Sequence, residues 1–211
     1  MKEKINNKFI NALIVKCILF FLTIITFTYF YLNLQGDINT SDYAFTELFI
    51  NYQSGFIRRG LLGEIFWQLN NYFLVQPLIF FSYLFFIIYL IQIYLLFKIF
   101  KAYKNFYFIS IIIFLSPALI LFPIYEINLY FIKDILIKLS ILLHAYIIIK
   151  YRNKKDNKEY INNLKFIIIP VLTFVMLVHE YQVLFLSVHF LLSISFIKLK
   201  NELIKIQKLY L

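Results

Sequence analysis

The chain has 211 residues, of which 62% are apolar and only 15% charged, with a mean hydropathy of +0.79. Soluble domains run about 45–50% apolar and about 25% charged, so a water-soluble globular class is excluded and an all-α integral membrane protein is expected. The net charge of +10 does not require a nucleic-acid partner, because membrane topology accounts for the cations; membrane lipid is the expected partner and no nucleic acid is. One cysteine, Cys17, excludes an internal disulfide, and no Cys or His spacing offers a structural metal. Eighteen Lys against three Arg, with five Ala, fit the compositional drift of an AT-rich bacterial genome.

A spanning helix needs about 20 mostly apolar residues. In chain order, 9–32, 77–97, 107–125 and 129–149 meet or approach that length. The opening MKEKINNK and the run behind it imitate a signal peptide, but the run is too long for an h-region and lacks a small-x-small cleavage site, so a retained anchor is expected. The last apolar stretch, 166–199, is 34 residues long and is interrupted near its middle by His179, Glu180 and Gln182. It forms either one very long helix or a hairpin of two spans, 166–180 and 182–199. With the hairpin, six spans put 16 of the 21 Lys and Arg on one side and only Arg58, Arg59 and Lys133 on the other. The positive-inside rule therefore favours a single six-span domain over 1–211 in the cell membrane, the bacterial inner membrane, with both termini cytoplasmic. Asp37, Asp42, Glu47, Glu64, Glu126, Asp134 and Glu180 then fall on the outer side.

The outer loop 35–76 holds all four glycines, Gly36, Gly55, Gly60 and Gly63, together with Arg58, Arg59 and the only Trp, Trp67. Long ordered loops are usually functional. Its first half places Phe45, Leu48, Phe49 and Tyr52 on one helical face, and its second half places Ile57, Leu61, Ile65 and Leu69 at intervals of four, so two interfacial amphipathic helices are expected. Ser54 is a candidate cap for the second. Two adjacent Arg in a lysine-rich chain point to a phosphate site, because the guanidinium fork grips phosphate through two hydrogen bonds where Lys offers a point charge. The competing reading has both arginines reaching lipid headgroups beside Trp67.

Further outer residues carry paired readings. Asp134 stands four residues before Lys138, a spacing at which the two neutralise each other on a helix, and with Lys133 it forms a KD pair near Glu126. His179 and Glu180 are an ionisable pair at membrane depth, a functional-site candidate, or else a polar hairpin tip. His144 and His189 belong to different spans and read as hydrogen-bonded bundle histidines. No motif supports a metal; a divalent cation is compatible with the acidic outer face but nothing in the sequence specifies a cofactor.

The segment NYQSGFIRRGLLGEIF, the KD pair and the HE pair together resemble a family of uncharacterised bacterial multi-pass proteins of the cell envelope. One span followed by the acidic loop GDINTSDYAFTE and two interfacial helices also resembles the start of GT-C-type glycosyltransferases. That resemblance implies a polyprenyl-phosphate-linked sugar as donor and an Asp just after the first span, here Asp37 or Asp42, as the base activating the acceptor. It implies that Glu126 or Asp134 helps hold metal or carrier phosphate, although six spans are fewer than such enzymes usually carry. A lipid-linked sugar transporter or flippase, or a non-catalytic subunit of an envelope assembly, would use the same surface without chemistry.

The charge asymmetry makes the topology testable. Reporter fusions after Lys104, Tyr160 and Lys208 are expected in the cytoplasm, and fusions after Lys133 or near Asn39 outside. An exported tail would remove the hairpin.

Overall fold

The computed structural model describes residues 2–36, 43–53, 60–102, 130–152, 154, 157–179 and 182–209, and among these the chain is helical with no strand. The elements are α1 (Lys2–Gln35), α2 (Tyr43–Thr46) running into a 3₁₀ turn (Glu47–Phe49), α3 (Leu61–Phe73), α4 (Pro77–Ala102), α5 (Asp134–Tyr151), α6 (Lys158–Val178) and α7 (Gln182–Leu209). Among the described residues, three stretches are long and apolar enough to cross a membrane: Leu13–Gln35, Pro77–Ala102 and Lys158–Val178. A shorter apolar stretch, Val183–Lys198, lies in α7. The expected span at 107–125 falls outside the described residues.

Apolar side chains dominate every face of the long helices, so packing is decided by which side chains find a neighbouring helix. On α1, Leu22 and Val15 are buried while Phe20 and Phe21 are 69% and 61% exposed, the pattern of a helix with one protein face and one apolar outer face. Thr23 and Thr26 return their hydroxyls to the carbonyls of Leu19 and Leu22 at 2.8 Å, which satisfies them without water. α1 runs antiparallel to α4, with Phe30 stacked on Phe86 at 4.4 Å and Leu19 and Leu22 beside Ile93 and Leu96.

α4 and α5 are parallel neighbours. Tyr89 donates to the Tyr130 carbonyl at 3.1 Å and Gln92 to the Ile135 carbonyl at 2.7 Å, so the start of α5 meets the middle of α4. Leu142, further along α5, packs with Leu95, Leu96 and Phe100. One end of the bundle, the Asp134 end, therefore gathers the close of α1 and α6 and the start of α4, α5 and α7.

The expected hairpin break is present: α6 stops at Val178, His179 turns to extended backbone, and α7 starts at Gln182. α6 begins earlier than the apolar run, at Lys158, which makes it 21 residues long. Its turn Leu164–Ile168 is a π-helix. Pro170, at the start of the following α-helical part, has no N–H and crowds the preceding carbonyls, and a widened turn relieves that crowding.

Above the aromatic cluster of Phe45, Phe66, Phe81, Phe85 and Phe131 sits the loop between α1 and α4. Its first half is shorter than expected: a single helical turn and a 3₁₀ turn instead of one amphipathic helix. Its second helix has Gly60, not Ser54, at the N-cap. The two halves touch where α3 presents Gly63. A Cβ there would stand 2.1 Å from the Ile50 carbonyl oxygen and 2.9 Å from that of Leu48, so only hydrogen allows the approach. Gly36 matters differently: it ends α1 in the left-handed region at φ +78°, with nothing nearby to collide with.

Gly63→Ala is expected to destabilise the protein at or above the upper end of the about 1–3 kcal/mol usual for overpacking, because the obstruction is backbone. Gly36→Ala is expected to cost about 1 kcal/mol, from left-handed strain alone. Unfolding in mixed micelles against rising dodecyl sulfate measures both, and equal effects would remove the close-approach argument.

Candidate functional site at the Asp134 end

Lys133 immediately precedes α5, and its side chain is only 1% exposed. Its ammonium donates to the Glu47 carbonyl oxygen at 2.8 Å, across 86 residues of sequence. A buried ammonium is costly unless strongly hydrogen-bonded, so this contact locks the 3₁₀ turn onto the bundle. Glu47 thus enters through its backbone.

Asp134 is the first residue of α5, where the helix dipole favours a carboxylate. Its Oδ1 lies 2.8 Å from Nε2 of His179, the residue that ends α6. The expected partner Lys138, one turn along α5, contributes its charge, but His179 makes the hydrogen bond. Asp134 is half exposed at 47% while His179 is nearly covered at 10%. The KD and HE motifs, 45 residues apart, therefore meet through Asp134 and His179.

Glu64 on α3 is the third polar centre. It accepts from the Tyr52 backbone N–H and the Gln53 amide at 3.2 Å, and from the Gln68 amide at 2.9 Å. These donors, Gln68 foremost and then Tyr52, hold its carboxyl below the ordinary carboxylate range. Gln53 and Gly60 are the described residues flanking 54–59, and both adjoin Glu64: Gln53 through its amide, Gly60 by accepting the Glu64 backbone N–H at 2.9 Å. Arg58 and Arg59 lie within that interval, outside the described residues, as do Asp37, Asp42, Glu126 and Glu180.

Neutral polar groups that the sequence did not single out also collect at this end. Asn33, near the close of α1, and Ser82, near the start of α4, are fully buried, and among the described residues neither has a hydrogen-bond partner. The Tyr130 hydroxyl is in the same position. Among the described residues no group of three or more His, Cys, Asp and Glu is placed to hold a metal ion.

A second polar cluster lies further from this end. His144 on α5 and His189 on α7 face each other edge to edge, with rings 2° from parallel and Nδ1 atoms 2.9 Å apart. Tyr160, Ser140 and Ser193 complete the network. Both histidines are hydrogen-bonded within the bundle, and their partner is each other, which no local spacing announces.

No protein-family model, curated protein or solved structure matches the chain.

The lowered Glu64 carboxyl sets a pH dependence. A depressed folded pKa gives stability that is fully present above the ordinary value of 4.5 and is lost as pH falls through the lower folded value. Hydrogen exchange at Tyr52 and Gln53 is therefore expected to accelerate below pH 4.5, and Glu64→Gln is expected to flatten that acid response. An unchanged acid response in Glu64→Gln would exclude this carboxylate as the tether.

Proposed function

We propose that the protein is a multi-pass enzyme of the bacterial cell envelope, a GT-C-like glycosyltransferase that uses a polyprenyl-phosphate-linked sugar at the outer membrane face. The observation that carries this reading is the meeting of Asp134 and His179 at 2.8 Å, beside Lys133 and the loop bearing the arginine pair. The KD and HE segments thus meet, and Gln53 and Gly60, which flank the interval that holds the arginine pair, both bond to Glu64. The charge distribution supports the outer face, because the lysine-rich segments 98–105 and 150–165 adjoin the opposite ends of α4, α5 and α6.

In this reading the acceptor hydroxyl oxygen attacks the anomeric carbon as the bond from that carbon to the carrier phosphate oxygen breaks. The proton passes to Asp37 or Asp42, and the electron pair leaves with the polyprenyl phosphate. Arg58 and Arg59 hold the leaving phosphate through paired hydrogen bonds. Asp134 and His179 join the close of α6 to the start of α5, Glu64 bonds to Gln53 and Gly60 on either side of the arginine interval, and Glu47 is a further acidic group of the loop.

Asp37→Asn or Asp42→Asn is expected to lower envelope glycan formation by about 10²–10⁴-fold, the usual contribution of a general base, with protein levels intact. Glu47→Gln is expected to be milder. Arg58→Lys and Arg59→Lys should impair function although charge is kept, since the fork is lost. Full complementation by both Asn variants, scored by glycan labelling in cells, would remove the enzyme reading and leave a carrier or a non-catalytic subunit.

A further inference from the structure

A cavity of about 650 Å³ lies between α6 and α7, bounded on one side by His144 and His189. That volume suits one small molecule. Its walls are largely aliphatic and aromatic, with Ile168, Leu172, Phe190 and Ile194 prominent, and the π-turn Leu164–Ile168 forms part of them. Such turns interrupt α-helices most often at functional sites. Around it, Phe166 and Leu191 are 77% and 61% exposed, so the cavity borders an apolar outer surface.

The polar atoms in the wall have a definite proton order. Ser140 gives its hydrogen to the Ile137 carbonyl at 2.7 Å, so at 3.3 Å it accepts from His189 Nε2–H. A neutral His189 then has a bare Nδ1, which accepts from His144 Nδ1–H at 2.9 Å. His144 Nε2 is then bare and shares the single Tyr160 hydroxyl hydrogen, at 3.1 Å, with Ser193 Oγ at 3.2 Å. Ser193 spends its hydrogen on the His189 carbonyl at 2.9 Å, and Ser187 spends its own on the Leu184 carbonyl at 2.7 Å. Ser187 and Ser193 thus have their hydrogens committed to carbonyls, the two imidazoles have every nitrogen engaged within the network, and Ser193 Oγ also lies 3.2 Å from the Tyr160 hydroxyl. What the two serines still offer inward is a lone pair.

We propose that this cavity binds a membrane-dissolved lipid alcohol: an apolar chain lies against the α6 and α7 walls, and its hydroxyl donates to Ser193 Oγ beside the histidine pair. An acceptor-only wall selects a hydrogen-bond donor, and an apolar lining open to an apolar surface selects a molecule that arrives through the bilayer. The site lies away from the Asp134 end and does not rest on the glycosyltransferase reading.

The full chain in phosphatidylcholine nanodiscs, labelled with diazirine-bearing hexadecanol or with its methyl ether, tests the proposal. The alcohol should label peptides covering 164–172 and 186–197 about fivefold more than the ether does, the factor carried by one neutral hydrogen bond. Unlabelled hexadecanol should compete. Ser193→Ala should abolish the preference for alcohol over ether, and Ile168→Trp should block both probes by filling the cavity. Equal labelling by alcohol and ether in the wild type, or labelling as strong on the exposed Phe20 and Phe21 face of α1, would overturn it. Exclusion of both probes together with disulfide-linked dimers of Ser187→Cys would overturn it too, assigning the cavity to a second copy of the chain. The wild-type comparison and competition decide the matter even if neither variant inserts.

Discussion

A lysine ammonium with 1% exposure is a demanding group to place inside an apolar bundle, and much of the Asp134 end is organised around Lys133. Taking an ammonium out of water costs several kcal/mol unless its hydrogen bonds are replaced. The Glu47 carbonyl supplies one at 2.8 Å, which pulls a turn from the loop after α1 down onto the bundle. Once Glu47–Phe49 is there, Phe45 and Phe49 complete the ring cluster with Phe66 and Phe81, at centroid separations between 5.1 and 6.2 Å. α3 must then pass so close that position 63 tolerates only glycine, and the next residue, Glu64, binds the far side of the same turn at Tyr52 and Gln53. One buried charge, one missing Cβ and one carboxylate thus make a lid of what composition presents as a loop.

Polar groups are settled by two different devices in the two halves of the bundle. Threonines in α1 bond back to their own helix, a local solution that needs no neighbour. His144, His189 and Tyr160 solve the same problem between helices, and their single neutral proton order is consistent from Tyr160 to the Ile137 carbonyl. That order carries a consequence: a proton added to His189 makes its Nδ1 a donor facing the His144 Nδ1–H, whereas the Tyr160 oxygen can accept from His144 Nε2–H while its own hydrogen goes to Ser193 Oγ. The network therefore requires His189 in particular to be neutral.

Apolar run length was enough to foresee four of the long helices and the break at His179, because a helix in lipid declares itself through uninterrupted hydrophobicity and a polar pair in mid-run interrupts it. The early start of α6 at Lys158 was hidden, since Lys158, Glu159 and Lys165 read as solvated loop although long polar side chains are compatible with a helix end. The π-turn leaves only Pro170 as its trace. The first interfacial helix was overextended: the face of Phe45, Leu48 and Phe49 is real, but tertiary contact with Lys133 favours a 3₁₀ turn over continued α-helix. At the candidate site, the KD and HE pairs were recognised as motifs without their contact being legible, because nothing local encodes a partner so far along the chain. The Ser140–Ser193 network is illegible for the same reason, whereas Asn33 and Ser82, buried without a hydrogen-bond partner among the described residues, carry no local signal that sets them apart from other polar residues of a span.

That long-range pairing has a regularity of its own. Asp134 meets His179, and His144 meets His189; each pair is separated by 45 residues. The two pairs nevertheless bind different helices to α5: His179 closes α6 in extended backbone, whereas His189 lies on α7, which starts at Gln182. The two contacts stand ten residues, about 15 Å, apart along α5. Aliphatic faces as uniform as these leave axial sliding poorly specified, since one leucine or isoleucine ridge fits a groove much like the next. A slip of α7 by one residue would shift it by about 1.5 Å and turn it by about 100°, breaking the histidine pair, and a like slip of α6 would break the Asp134–His179 pair. The carboxylate–imidazole contact at one level and the imidazole pair at the other therefore act together as register pins, the best-attested structural use of polar groups in apolar interfaces. α6 and α7 are thus each held to α5 by their own polar contact, α6 at the Asp134 end and α7 at a histidine pair about 15 Å deeper in the bundle.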